Sequence, residues 1–219
     1  IAAYQPEIIG ITGSVGKTST RDAVYAVLKD KFRVRKSEKN YNNELGLPLT
    51  IIGCYSPGSD PLGWLKVFYR GWRLSRGRDQ AYPKVLVLEM GVDRPGDMDY
   101  LLSIVKPRAG ILTLAGTVHV ASFQAREALR KEKAKLIKSV PKDSFNIINY
   151  DNEGSRKTIK DSAAKVISFG LDEKAAVRAR VTACARRQRR SVYSPRSRSK
   201  VTTSTAPCWR SGRHWTTIG

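Results

Sequence analysis

Four groups of residues in this 219-residue chain have the types and spacing of a site that handles phosphate. One is Gly10-Ile11-Thr12-Gly13-Ser14-Val15-Gly16-Lys17-Thr18-Ser19. Glycines at 13 and 16 let backbone N–H groups approach an anion, Lys17 adds a point charge for the β- and γ-phosphates, and Thr18 offers a hydroxyl to Mg²⁺. Contacts to a nucleotide are expected from Gly13, Ser14, Val15, Gly16, Lys17, Thr18 and Ser19. The loop departs from G-x-x-x-x-G-K-[ST], because Ile11 stands where the first glycine belongs. Another is Glu89, a carboxylate at the end of the apolar run Val85–Leu88. Mg²⁺ commonly takes only one or two carboxylates alongside phosphates, so a single acid there suffices. His119 follows another apolar run and is one of two histidines in the chain. Lys133 lies in Arg130-Lys131-Glu132-Lys133-Ala134-Lys135, which on spacing alone reads as a solvated basic helix face.

These residues need elements to position them. Glu7–Thr12 is short, β-rich and apolar, as a buried parallel strand should be. Val24, Leu28 and Phe32 recur at helical spacing after the loop. Phe32–Arg35 reads as a second strand, Lys84–Gly91 as a strong buried one, and Ala109–Leu114 as another. Asp97–Val105 is predicted helical, with Met98, Leu101, Leu102 and Val105 on one face. Gln124–Val140 is a charged helix whose inward stripe is Ala128, Leu129, Leu136 and Ile137. Strands at Ser144–Asn149 and Val166–Phe169 flank a helix from about Asn152 to Lys160. Strands alternating with helices imply a mostly parallel α/β sheet covered on both faces, with ligands bound at the carboxyl ends of the strands. Glycine loop, Glu89 and the segment after Leu114 all fall at that edge.

Between Pro57 and Pro83 the alternation is interrupted. Trp64, Phe68 and Trp72 share one helical face among Lys66, Arg70, Arg73, Arg76 and Arg78. Two readings stand. The helix packs on the domain with basic stems at its rim, or residues 64–78 touch an anionic membrane surface.

The net charge of +21 invites a nucleic-acid reading, but its distribution argues otherwise. From Ala175 to Gly219 there are ten Arg, one Lys and no Asp or Glu, so half the excess lies in the last fifth of the chain. The expected organisation is an ATPase-like domain over 1–172 and a basic Arg/Ser/Thr-rich tail over 173–219. That tail reads as a disordered segment or the product of a reading-frame change near Val177–Arg186, with a nucleic-acid arm as the alternative. No specific nucleic-acid partner is expected of the domain. Cys54, Cys184 and Cys208 are odd in number and form no CxxC pair, which excludes a disulfide framework or zinc site and points to a reducing cytoplasm. A monomer is expected.

The motifs, taken in order, resemble the Mur ligases, ATP-dependent enzymes that add amino acids to the peptidoglycan precursor. Thr12–Ser19 looks like that family's nucleotide loop, and Asn42-Asn43-Glu44-Leu45-Gly46-Leu47-Pro48 like its N-x-x-G-x-P element. Leu88-Glu89-Met90-Gly91 with Arg94-Pro95-Gly96-Asp97 resembles its acidic strand, especially in the branch that adds D-alanyl-D-alanine. Val118-His119 with Phe123, Glu132–Ile137 and Asn149–Asn152 match further segments, in the family's order, from about Ile8 to Gly170. The resemblance implies ATP and Mg²⁺ as cofactors, with Lys17 on the γ-phosphate and Thr18 and Glu89 on one Mg²⁺. It also implies His119 on a second Mg²⁺, Lys133 as a carbamate, and Asn42 and Asn43 near the substrate. Carbamylation needs a neutral amine, so Lys133 should be desolvated or near cations, Lys131 and Lys135 among them. The implied reaction phosphorylates the carboxylate of a UDP-muramoyl-peptide to an acyl phosphate, which an amino acid or dipeptide amine then attacks. Family members usually carry domains before and after this one, so the chain is expected to be a truncated piece that binds nucleotide. A folylpolyglutamate- or cyanophycin-type ligase is the alternative within the enzyme class, and a nucleic-acid- or membrane-binding module the alternative outside it.

Overall fold

The computed structural model describes residues 1–38, 41–77, 79–116 and 123–179, so His119 and the tail from residue 180 lie outside it. Its elements run β1 (Glu7–Thr12), α1 (Lys17–Leu28), β2 (Val34–Lys36), α2 (Gly46–Ile52), α3 (Pro61–Ser75) and β3 (Val85–Glu89). There follow α4 (Asp97–Ile104), β4 (Ala109–Leu112), α5 (Phe123–Ser139), β5 (Phe145–Asn149), α6 (Glu153–Arg156), a 3₁₀ turn (Ile159–Asp161), β6 (Lys165–Gly170) and β7 (Val177–Arg178). The strands form one parallel sheet ordered β2-β3-β1-β4-β5-β6-β7.

Parallel pairing brings every strand's carboxyl end to one edge, and the order fixes what meets there. From β1 the chain runs to the edge strand β2, returns to β3 between the two, and then crosses to β4 on the other side of β1. Between β1 and β4 lies the switch point where such sheets hold ligands. Register sets Ile11 beside Glu89 and Thr12 beside Leu112, so the glycine loop leaves the sheet level with both neighbours.

The period of two decides which face each strand residue serves. Leu86 and Leu88 pack with Leu47, Met98, Leu101 and Leu136, beneath α2, α4 and α5. Val85 and Val87 pack with Ile11, Ile111, Val24 and Leu28, beneath α1. Glu89 continues the second series, which puts its carboxylate on the α1 side. One close approach positions α5. A Cβ on Gly10 would come within 2.8 Å of Leu136 Cδ1, so glycine in β1 lets Leu136 lie against the strand.

Several expectations change. Phe32 is not on α1, which ends at Leu28; the Phe32 and Lys31 N–H groups both turn back to the Leu28 carbonyl. The helix expected from Asn152 to Lys160 breaks at Arg156, where the Thr158 hydroxyl donates to the Ser155 carbonyl at 2.6 Å and competes with helical bonding. On α5 Ala128 is exposed, whereas Glu132 and Lys133 join Leu136 and Ile137 in the buried stripe. On α3 the packed residues are Val67 and Leu74, and Phe68 and Trp72 face solvent. Beyond residue 172 the chain stays in the sheet, because β7 pairs with β6.

Candidate active site

β1 ends at Thr12, whose hydroxyl donates to the Met90 carbonyl at 2.9 Å and ties the loop's entrance to the end of β3. Gly13 (φ 150°) and Gly16 (φ 84°) then adopt backbone conformations that L side chains rarely take. A Cβ at Gly13 would also collide with Thr113 Oγ1 and come within 3.0 Å of the Leu114 nitrogen. The loop is held from the β4 side by Thr113, which donates to the Val15 carbonyl at 2.6 Å, and by the Ser14 N–H, which donates to the Leu114 carbonyl at 2.7 Å. Gly16 caps α1 without a side-chain hydrogen bond, and no acid stands in the first turn. The N–H groups at the start of this 12-residue helix therefore point toward the loop's concavity, a built anion cradle.

Lys17 Nζ donates to the Gly13 carbonyl at 2.8 Å, so the ammonium curls over the loop. Thr18 Oγ1 lies 3.1 Å from Glu89 Oε2 and donates to it. The Glu89 backbone N–H donates to Ser37 Oγ at 3.0 Å, which joins β3's end to the chain leaving β2. Two hard oxygens thus sit together beside the cradle, a donor set that fits Mg²⁺ completed by phosphate oxygens and water. Among the described residues no three His, Cys, Asp or Glu side chains converge as a metal cage.

Lys133 reaches this loop from the opposite face of the sheet. It lies one turn before Leu136 on α5, and its Nζ donates to Ser14 Oγ at 2.7 Å. The side chain is buried, and burial together with the Lys17 charge pulls its pKa from 10.5 down to about 8, with Asp93 pulling weakly the other way. The cation that helps is Lys17, not the sequence neighbours. Lys135 is paired at 2.5 Å with both Asp99 and Glu132, and Lys131 is exposed.

Asn42 and Asn43 border a cleft of about 660 Å³ that Asp93, Arg94, Asp97 and Tyr100 also line. The amide oxygen of Asn43 accepts from the Gly46 N–H at 2.9 Å and so caps α2. Arg21 is a site residue the sequence reading missed. It is buried, its NH1 lies 3.6 Å from Glu89 Oε2 with no hydrogen-bond partner among the described residues, and its Nε and NH2 donate to Asp22 Oδ1. Helical spacing offered the signal, since Arg21 stands three and four residues after Thr18 and Lys17. The structure brings together Lys17, Thr18, Glu89 and Lys133; Ser19 stays exposed at the start of α1.

Fold and loop define a parallel α/β domain with a phosphate-loop corner on its central strand. The Mur ligase middle domain profile matches residues 11–56 and 74–207, passing over 57–73, and the chain belongs to the Mur ligase family. It is 32% identical over 166 residues to the UDP-N-acetylmuramoyl-tripeptide–D-alanyl-D-alanine ligase of Synechocystis sp., covering 75% of this chain and 31% of that protein. The enzyme of the same name from Mycobacterium tuberculosis is 33% identical over 165 residues, covering 75% and 28%. The MurF ligase of Thermotoga maritima, solved in complex with ADP, superposes with a TM-score of 0.58 at 29% identity, covering 78% of this chain and 34% of that one. This chain thus spans about a third, or less, of the length of these relatives.

Proposed function

We propose that this chain carries the nucleotide-handling core of an ATP-dependent ligase that joins a carboxylate to an amine on a peptidoglycan precursor. Its two substrates are a UDP-muramoyl-peptide and a dipeptide of the D-alanyl-D-alanine kind, the pair named in its relatives. One observation carries the reading: Lys17, the Thr18–Glu89 pair and the buried Lys133 all converge on one glycine loop.

In this reading the loop amides and Lys17 hold the polyphosphate of ATP, and Thr18 and Glu89 hold Mg²⁺. The metal supplies charge neutralisation for transfer of a phosphoryl group to the carboxylate. His119 remains the proposed ligand of a second Mg²⁺ and lies outside the described residues. Lys133 is the group to be carbamylated. Its lowered pKa leaves a fraction of the amine neutral near pH 7, and that nitrogen adds to CO₂ with release of one proton. The product is an anion where a second lysine stood, able to order Lys17 or a metal. Asn42 borders the cleft where the acceptor would lie, while Asn43 shapes it by capping α2. A cytoplasmic location and a monomeric state belong to the same reading.

Calorimetric titration with Mg·ATP, set beside phosphate release by the full-length protein, tests it. Release with UDP-muramoyl-tripeptide plus D-alanyl-D-alanine is the expected result. Release with folate plus glutamate instead would overturn the substrate class, and heat of binding unchanged by Lys17→Ala would overturn the loop assignment.

A further inference from the structure

α3 has two apolar faces, and only one of them is used. The narrow face carries Val67 and Leu74, with Gly63 and Gly71 between the larger residues. A Cβ on Gly63 would come within 2.5 Å of Pro57 Cβ, so glycine there seats the helix on the segment after α2, and Gly71 lies beside Ile52. Arg70 Nε donates to the Ile52 carbonyl at 3.0 Å and fixes the helix in that seat. The wide face points the other way. It consists of Leu62, Leu65, Phe68, Tyr69 and Trp72, each between 53% and 68% exposed.

This outer face is organised. Helical spacing sets Phe68, Trp72, Leu65 and Tyr69 side by side, with Arg73 and Lys66 along one margin. Tyr69 stacks on Trp72 with ring centroids 6.0 Å apart, and the Arg76 guanidinium lies 4.6 Å over the Trp72 ring. No acidic residue lies within Pro61–Ser75. A contiguous apolar strip of this kind on a folded domain marks a contact surface rather than scattered exposed residues. The match to the family profile leaves out 57–73, which holds most of this helix.

We infer that α3 docks flat on an anionic phospholipid bilayer. Tyr and Trp have the amphipathic rings that settle at the headgroup level, and Leu and Phe the apolar groups that enter the acyl boundary. Lys66, Arg73 and Arg76 supply charge complementary to phosphate headgroups. The helix has 15 residues, and no helix among the described residues is long and apolar enough to cross a membrane, so it lies on the surface. Glycine seating explains how the helix can offer its wide face outward without leaving the domain. The inference does not depend on the proposed ligase reaction; it brings the domain to a membrane whichever substrates it uses.

The test is co-sedimentation of the full chain with vesicles of phosphatidylcholine containing about a third phosphatidylglycerol, against phosphatidylcholine alone. The variants are Leu65→Ser with Phe68→Ser and Trp72→Ser, and separately Lys66→Glu with Arg73→Glu. All five positions are exposed, and unchanged circular dichroism and Mg·ATP binding check that the domain is intact. The expected result is binding to the anionic vesicles, weakened at least tenfold by either set of changes. Binding that survives the apolar triple variant overturns the proposal, because the basic tail alone would then account for it. Self-association abolished by the triple variant, without vesicle binding, also overturns it and assigns the face to a second copy.

Discussion

Lys133 Nζ donates to Ser14 Oγ at 2.7 Å across 119 residues of sequence. The contact joins the two faces of the sheet over its carboxyl edge. Ser14 belongs to the loop that leads into α1, and Lys133 to α5 on the far side. It places two lysine ammonium groups at one loop, an arrangement that costs energy unless an anion, or loss of a proton, relieves it.

Lys133 should titrate near neutrality. Its carbon-13 ε resonance is expected to move with a midpoint of about 8, displaced toward the ordinary 10.5 in Lys17→Ala. A folded-state pKa below the unfolded one means that the unfolded chain holds the proton more tightly. The resulting penalty on folding is full below pH 8 and disappears as pH rises from about 8 to 10.5. Lys133→Met should therefore stabilise the fold at pH 7 by on the order of 1–3 kcal/mol, a gap that closes at high pH. Urea denaturation of both proteins across that range checks it. A midpoint near 10.5 in the wild type would show that the amine is solvated.

Lys17→Ala should weaken Mg·ATP by about a hundredfold, roughly 3 kcal/mol, without unfolding the domain. Among the described residues Lys17 bonds only to its own loop, at Gly13, so its loss leaves the core untouched. Calorimetry gives the affinity, and circular dichroism the state of the fold.

Glu89→Gln should separate metal from nucleotide. The amide keeps the shape but loses the negative charge beside Thr18 and Arg21. The expected outcome is ATP affinity that no longer responds to Mg²⁺, while metal-free binding is retained. A Mg²⁺ response equal to the wild type's would remove Glu89 from the metal site.

Gly10→Ala probes the approach of α5. The added methyl meets Leu136 at 2.8 Å and Met90 Sδ at 3.0 Å. Overpacking of this kind costs about 1–3 kcal/mol. The same shift lifts Lys133 from Ser14, so its titration midpoint should rise as stability falls. Thermal melting and the lysine resonance read the two effects in one sample.

How much of this was legible in the sequence follows from what kind of signal each feature leaves. The alternation of apolar runs gave β1, β3, β4 and β5 to within a residue or two, and the loop pattern, the strand end and the family resemblance pointed to Lys17, Glu89 and Lys133, which the fold brings to one corner. Periodicity left two readings of α3 open, and the wider apolar face is the exposed one. Hydrophobic spacing identifies a face but not its partner, and the close approach of Gly63 to Pro57 marks the packed side only once the fold is known. The stripe of α5 hid its polar members for a related reason: Glu132 and Lys133 are buried because α4 and the glycine loop supply their partners. The cation near Lys133 came from a distant segment, which local sequence does not reveal. Arg21 escaped because a basic residue in a helix is ordinarily a surface residue.

Glu132 holds one more consequence. Its Oε1 accepts from the N–H groups of Gly96 at 3.0 Å and Met98 at 2.9 Å, which clasps the turn entering α4 to the residue preceding Lys133. That turn is a wall of the cleft bordered by Asn42. Any shift of that wall therefore bears on the helix that carries the buried amine.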